Sequence, residues 1–309
     1  MKLSKSLISL STIIAFLFLI SCGRDTHKPI KVNHEFKEWI SAFTTGVVSK
    51  KSNFEIHLTK PTKLFTEIDA LIDEDLFEFS PSVDGKAYWK DNQTMMFVPD
   101  ELLKSGTTYQ VTFALGKVLE VTSKFEEFLY DFSVINQHFS VEIDGIKSYD
   151  NQNLIWNSFQ GQLNSTDFIS EEEVQSLLEI QHNGKALSIS WNSDALGRNH
   201  AFKVDSVQRK EETVSLLIIW DGSPIDVDIK GEEEFVIPSL SDFKLMDVKV
   251  LQQPEQHVKL TFSDPLDGKQ DLTGLIRFQD YNDFKFEITD NLVKAYPKAR
   301  QIGTKTILV

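Results

Sequence analysis

One cysteine, Cys22, stands in a chain of 309 residues. A lone cysteine excludes an intrachain disulfide and a cysteine-based metal site. Basic charge is also scarce. Against 46 Asp and Glu there are 32 Lys and Arg, a formal net charge of −14. Phosphate binding needs a clustered basic face, and the basic clusters are short runs such as Lys50-Lys51, so nucleic acid is excluded as a partner. Direct electrostatic docking to an anionic membrane surface is disfavoured for the same reason. Glycine (14) and proline (9) are too few for a flexible linker protein, whereas 23 phenylalanines favour packed β-structure.

The motifs that announce chemistry are missing as well. There is no G-x-S-x-G elbow, no G-x-G-x-x-G and no Walker loop. The seven histidines (His27, His34, His57, His138, His182, His200 and His257) form no H-x-H or H-E-x-x-H pattern. The sequence therefore assigns no catalytic residue, no cofactor site and no metal site, and the expectation is a protein that is not an enzyme. Two weaker candidates remain. Asp221-Gly-Ser-Pro-Ile-Asp226-Val-Asp228 could offer oxygens to calcium but lacks EF-hand spacing, so a solvated turn is expected there. The five tryptophans (Trp39, Trp89, Trp156, Trp191 and Trp220) could line a sugar-binding face, with core packing the stronger expectation.

What is present begins at the N-terminus. Lys2 and Lys5 precede an apolar stretch from about Leu7 to Ile20. That stretch is shorter than the roughly 20 apolar residues of a membrane-spanning helix and matches a signal-peptide core. It ends Leu19-Ile20-Ser21-Cys22, which resembles the bacterial lipobox. The resemblance implies cleavage before Cys22, a diacylglycerol on its sulfur and an acylated amine. Three chains at about 0.8 kcal/mol per buried CH₂ exceed what stable anchoring needs. The membrane, through the lipid on Cys22, is thus the expected partner, and the bacterial cell envelope the expected location. Gly23 after the cysteine is unlike an inner-membrane retention signal, which points to the outer membrane.

Beyond a polar tether at 22–36, short alternating runs read as strands. Phe54–Leu58, Tyr109–Phe113 and Val258–Phe262 are examples. Asp84-Gly85, Asp144-Gly145, Asn183-Gly184, Asp221-Gly222 and Asp267-Gly268 read as tight turns. Ser170 with Glu173 forms a capping-box pattern for a short helix over 170–178, and a second helix could cover Leu64 to Leu71. A weak repeat links these runs. Phe54–Pro61, Phe159–Thr166 and Val258–Pro265 start about 100 residues apart, each followed by an apolar run at Leu76, Leu178 and Leu275. That is the size of an immunoglobulin-like sandwich. The expected fold class is all-β: tandem immunoglobulin-like β-sandwich modules behind a lipoprotein signal peptide (1–21), with modules at 37–133, 134–241 and 242–309. The third module is short and ends strand-like at Thr304–Val309, so it is expected to be incomplete and the chain a fragment.

The residues Ser80–Asp100, with Trp89 and Phe97-Val-Pro99, followed by Leu103-Lys-Ser-Gly-Thr-Thr-Tyr109, resemble a bacterial Ig-like module. Behind a lipobox and repeated, they resemble the N-terminal region of bacterial alpha-2-macroglobulin lipoproteins of the Bacteroidetes type. Leu178–Gly184 with Ile189-Ser-Trp191, and Phe262–Leu266, fit the same picture. The resemblance implies a protease trap, with proteases as partners of the full-length protein. The chain departs from the family in lacking the thioester motif Cys-x-Glu-Gln and any recognisable bait segment. It would be the membrane-anchored N-terminal scaffold of an endopeptidase inhibitor. The alternatives are a surface adhesin or glycan-binding lipoprotein with Ig-like repeats, and an enzyme whose catalytic domain lies past residue 309.

Overall fold

The computed structural model describes residues 30–149 and 152–309; Cys22 and the segment around it lie outside the described residues. Module 1 contains β1 (Ile40–Phe43), β2 (Gly46–Val48), β3 (Phe54–Leu58), β4 (Phe77–Ser80), β5 (Gly85–Asp91), β6 (Thr94–Pro99), β7 (Thr108–Phe113), the short helix α1 (Leu115–Val118) and β8 (Phe128–Val134). The strands form two sheets, β1-β3-β6-β5 and β2-β8-β7-β4, with β2 parallel to β8. A first strand divided between two facing sheets, and Greek-key order in both, is immunoglobulin-like topology. Alternation drives it. Phe54, Ile56 and Leu58 of β3 face Tyr109, Val111 and Phe113 of β7 and Phe128, Tyr130, Phe132 and Val134 of β8, all buried. The abundant phenylalanines pack ring to ring, with Phe54 4.3 Å from Phe132 and Phe79 4.7 Å from Phe97.

Module 2 contains β9 (Phe139–Ser148), β10 (Trp156–Ser165), α2 (Glu171–Gln175), β11 (Leu178–His182), β12 (Lys185–Ala186), β13 (Ser190–Ser193), β14 (Asn199–Gln208), β15 (Val214–Asp221) and β16 (Lys230–Ile237). Its sheets run β13-β14-β10-β9 and β12-β11-β15-β16. Module 3 contains β17 (Leu245–Leu251), β18 (His257–Phe262), β19 (Arg277–Phe278), β20 (Phe284–Thr289), β21 (Leu292–Pro297) and β22 (Ile307–Leu308). Its first sheet, β17-β18-β21-β20, repeats the order seen in modules 1 and 2, and β19 pairs with β22 opposite it. The sequence repeat falls on equivalent strands. Its starts lie on β3, β10 and β18, the second strand of each module, and its apolar runs on β4, β11 and β19. The chain is all-β, a tandem of Ig-like sandwich modules.

Three local expectations need correction. Asp144-Gly145 is not a turn. Gly145 sits inside β9 at φ +105, where the register against β10 shifts, which makes it a β-bulge. Asp84-Gly85 leads straight into β5, and Gly85 pairs with Pro99. Leu64 to Leu71 is not helical. The Asp69 amide donates to the Trp89 carbonyl at 2.7 Å and the Trp89 amide to the Ala70 carbonyl at 3.0 Å, so the edge of β5 takes the backbone groups that a helix would have used. By contrast, Asn183 (φ +50) and Gly184 (φ +71) do make the two-residue turn joining β11 to β12. Ser170 and Glu173 do close a capping box on α2.

Candidate functional site

Two charged side chains, each far in sequence from its partners, close the contacts between modules. Asp167 follows β10 and its side chain is 2% exposed. Its Oδ2 accepts the Lys50 amide of module 1 at 2.7 Å, and its Oδ1 accepts the Ser49 hydroxyl at 2.5 Å and its neighbour's amide, Phe168 N, at 2.8 Å. Arg198 Nη2 lies 3.6 Å away. Gln137, in the linker, holds the same loop from the other side. Its Oε1 accepts the Asp167 amide at 2.9 Å and its Nε2 donates to the carbonyls of Asp167 and Phe168. Lys50 Nζ pairs with Glu173 at 3.3 Å, and Lys51 Nζ lies 4.7 Å over the Phe168 ring. A buried carboxylate is tolerable because its oxygens meet donors on three sides.

Arg209 does the corresponding work between modules 2 and 3. It is fully buried. Nε donates to the Pro238 carbonyl at 2.9 Å; Nη2 donates to the carbonyls of Ser239 (2.7 Å) and Asp242 (2.8 Å). Both terminal nitrogens grip the Asp264 carboxylate, at 2.7 and 3.1 Å. Only guanidinium offers donors in a planar fork suited to this arrangement. Flanking contacts tie the sheets: Asn291 Nδ2 donates to the Ile146 carbonyl at 3.0 Å, Lys249 Nζ to the Ile143 carbonyl at 3.3 Å, and Lys147 pairs with Asp290 at 3.1 Å.

Among the described residues, no group of three or more His, Cys, Asp or Glu side chains is placed to hold a metal ion. In the stretch considered for calcium, Lys230 pairs with Asp221 at 2.8 Å and the Ser223 amide donates to the same carboxylate. The lysine, first, and Ser223 pull the Asp221 pKa down to about 2. Asp226 occupies a left-handed turn position at φ +58. His200 is buried, with Nδ1 2.7 Å from the Ser193 hydroxyl and Nε2 lacking a partner. Burial pushes its pKa down. A Ser–His contact needs an exposed hydroxyl poised for attack and a third, orienting group to be catalytic; here Nδ1 is already engaged by Ser193, and His200 is fully buried, paired across the strands with Leu163.

The tryptophans separate into two groups. Trp89 is buried, and Trp39, Trp191 and Trp220 pack on core clusters. Trp191 and Trp220 are half-buried, each packing against the core clusters of module 2. Trp156 is 47% exposed and belongs to no core cluster. In module 3, β17 and β22 border an apolar groove of about 330 Å³ floored by Val258 and Phe278, with Val248 and Val250 exposed along it. No helix among the described residues is long and apolar enough to cross a membrane.

Sequence reasoning missed Asp167 and Arg209, whose partners lie 117 and 55 residues away.

No protein-family model and no curated protein matches the chain. Solved structures with some likeness include the ICAM-5 D1-D4 ectodomain fragment, at 11% identity and TM-score 0.26, covering 87% of this chain and 71% of that one. The mouse nectin-like molecule 4 ectodomain (Ig1-Ig3) shows 10% identity and TM-score 0.27 over 83% of this chain and 88% of that one. Domains 4-9 of the surface layer protein SbsC show 12% identity and TM-score 0.31, with 87% of this chain and 45% of that one covered. Likeness at this level carries no argument, and the immunoglobulin-like assignment stands on strand order.

Proposed function

We propose that the chain is a membrane-tethered scaffold: a series of Ig-like modules, held to one another by buried charges, that carries its distal end away from the envelope membrane. The observation that carries this reading is the pair of junctions at Asp167 and Arg209. A flexible string of modules needs no buried ion between its members, because burying a charge costs several kcal/mol unless every donor and acceptor is met. Meeting them in both junctions fixes the modules relative to one another. The lipobox reading of Cys22 supplies the tether. The resemblance to alpha-2-macroglobulin lipoproteins narrows the proposal to the N-terminal scaffold of a protease trap, with the cutting and trapping chemistry outside residues 22–309.

Cell fractionation tests the tether. Cys22→Ser should move the protein from the membrane fraction to the soluble fraction, and retention in the membrane would overturn it. Incubation of residues 22–309 with a test protease addresses the scaffold role. No stoichiometric inhibition is expected, and its appearance would show that trapping chemistry resides here.

A further inference from the structure

Trp156 begins β10 at the end of module 2 that faces module 3, and the corner that carries it is braced. Asn157, buried, donates from Nδ2 to the Leu154 carbonyl at 3.0 Å, and the Arg209 amide donates to the Ile155 carbonyl at 2.7 Å. The register between β10 and β14 shifts at Asn157, and the opposite strand takes up the shift at Ser206, a non-glycine residue at φ +62. Strain of this kind collects where a side chain is being aimed. Here the aimed side chain is an indole, paired across the strands with Gln208.

The indole forms one wall of a groove of about 390 Å³ at the mouth of the sandwich. Val207 and Leu216 close the bottom, and the β11–β12 turn supplies His182, Asn183 and Lys185, with Lys210 opposite. His182 Nδ1 lies 3.0 Å from the Ser215 carbonyl, a pure acceptor, so that nitrogen carries the proton. Nε2 of the neutral ring then accepts from Asn183 Nδ2 at 3.1 Å, which fixes the amide's orientation. Lys185, Lys210, Gln208 and the Trp156 indole nitrogen make no side-chain hydrogen bond or ion pair among the described residues. An aromatic wall, two uncommitted cations, the free amide of Gln208 and the Asn183 side-chain carbonyl oxygen thus converge in a chain of net charge −14.

We propose that this groove binds an acidic saccharide. The indole stacks on the apolar face of a pyranose ring, Lys185 and Lys210 pair with its carboxylate, and Asn183 and Gln208 hydrogen-bond its hydroxyls. Lys185 and Lys210 line the groove and no carboxylate among the described residues does; at a Debye length of about 8 Å in physiological salt, groups that line it act on a bound charge more than remote ones. A nucleic acid would also stack, but its charge at every residue would carry neighbouring phosphates over an acidic surface. A glycan with one carboxylate per two sugars avoids that repulsion. This inference is independent of the scaffold role, and either can fail alone.

Titration of the whole chain with an unsulfated glucuronate–N-acetylhexosamine tetrasaccharide, followed by calorimetry and tryptophan fluorescence, tests it. Binding should weaken at least tenfold in Trp156→Ala, with the thermal midpoint unchanged, and partly persist in Trp156→Phe. Lys185→Gln with Lys210→Gln should abolish the preference for this sugar over its carboxyl-reduced counterpart while leaving the neutral sugar's affinity in place. Any of four results would overturn the assignment: no binding at millimolar sugar, equal binding in Trp156→Ala, no charge preference in the parent chain, or tighter binding of a short oligonucleotide.

Discussion

Arg209, itself fully buried, places its N–H groups among the carbonyls of Pro238, Ser239, Asp242 and Ser263 and the carboxylate of Asp264. Removing the guanidinium leaves those acceptors buried and unpaired. Arg209→Met should therefore cost about 3–5 kcal/mol, read as a lowered midpoint in urea unfolding. Arg209→Lys should rescue little, because one ammonium cannot reach acceptors spread around a planar fork. An unchanged midpoint in both variants would show that the junction is not held here. His200 acts in the other direction. Burial holds its pKa below the ordinary value, so the unfolded chain takes up the proton first and stability falls as pH drops below about 6.5. His200→Gln should flatten that slope, and a slope unaltered by the substitution would assign it to other groups.

At the level of elements, what the sequence makes legible is what depends on near neighbours. The alternation in Phe54–Leu58 and Val258–Phe262 is a property of five-residue windows, and both fall on strands, β3 and β18. The capping box of α2 is equally local: Ser170 Oγ accepts the Glu173 amide at 3.1 Å, and Glu173 Oε2 accepts the Ser170 amide at 2.8 Å. Ser170→Ala should cost about 1 kcal/mol by thermal unfolding, and a loss under a few tenths would mean that tertiary packing alone holds the helix. Less legible is whatever the partner strand decides. Asp144-Gly145 reads as a turn until β10 pairs along it, after which Gly145 can only bulge. Leu64 to Leu71 has helical spacing, yet the free edge of β5 claims its amides. Five tryptophans look alike in sequence, and only the packing of two sheets separates Trp156 from the four that serve the cores. The junction ions were invisible because nothing within ten residues of Arg209 announces Asp264.

On the scale of the whole molecule, the proposed scaffold role requires the junctions to make the modules behave as one particle. Small-angle scattering of the parent chain should fit a single conformation, and Arg209→Met should broaden the distance distribution; profiles that superimpose would argue that the flanking contacts suffice. The groove of module 3 has a consequence of another kind. Val248 and Val250 lie exposed beside the free edge of β22, and β-edges with an apolar floor are templates for other chains. The groove's cations, Arg300 and Lys305, blunt that edge, and long-range repulsion from the −14 charge adds to what keeps copies apart. Colloidal stability is then borrowed from the carboxylates. As acid neutralises them, or as salt screens them, the chain loses solubility while its modules are still folded, and precipitation precedes unfolding.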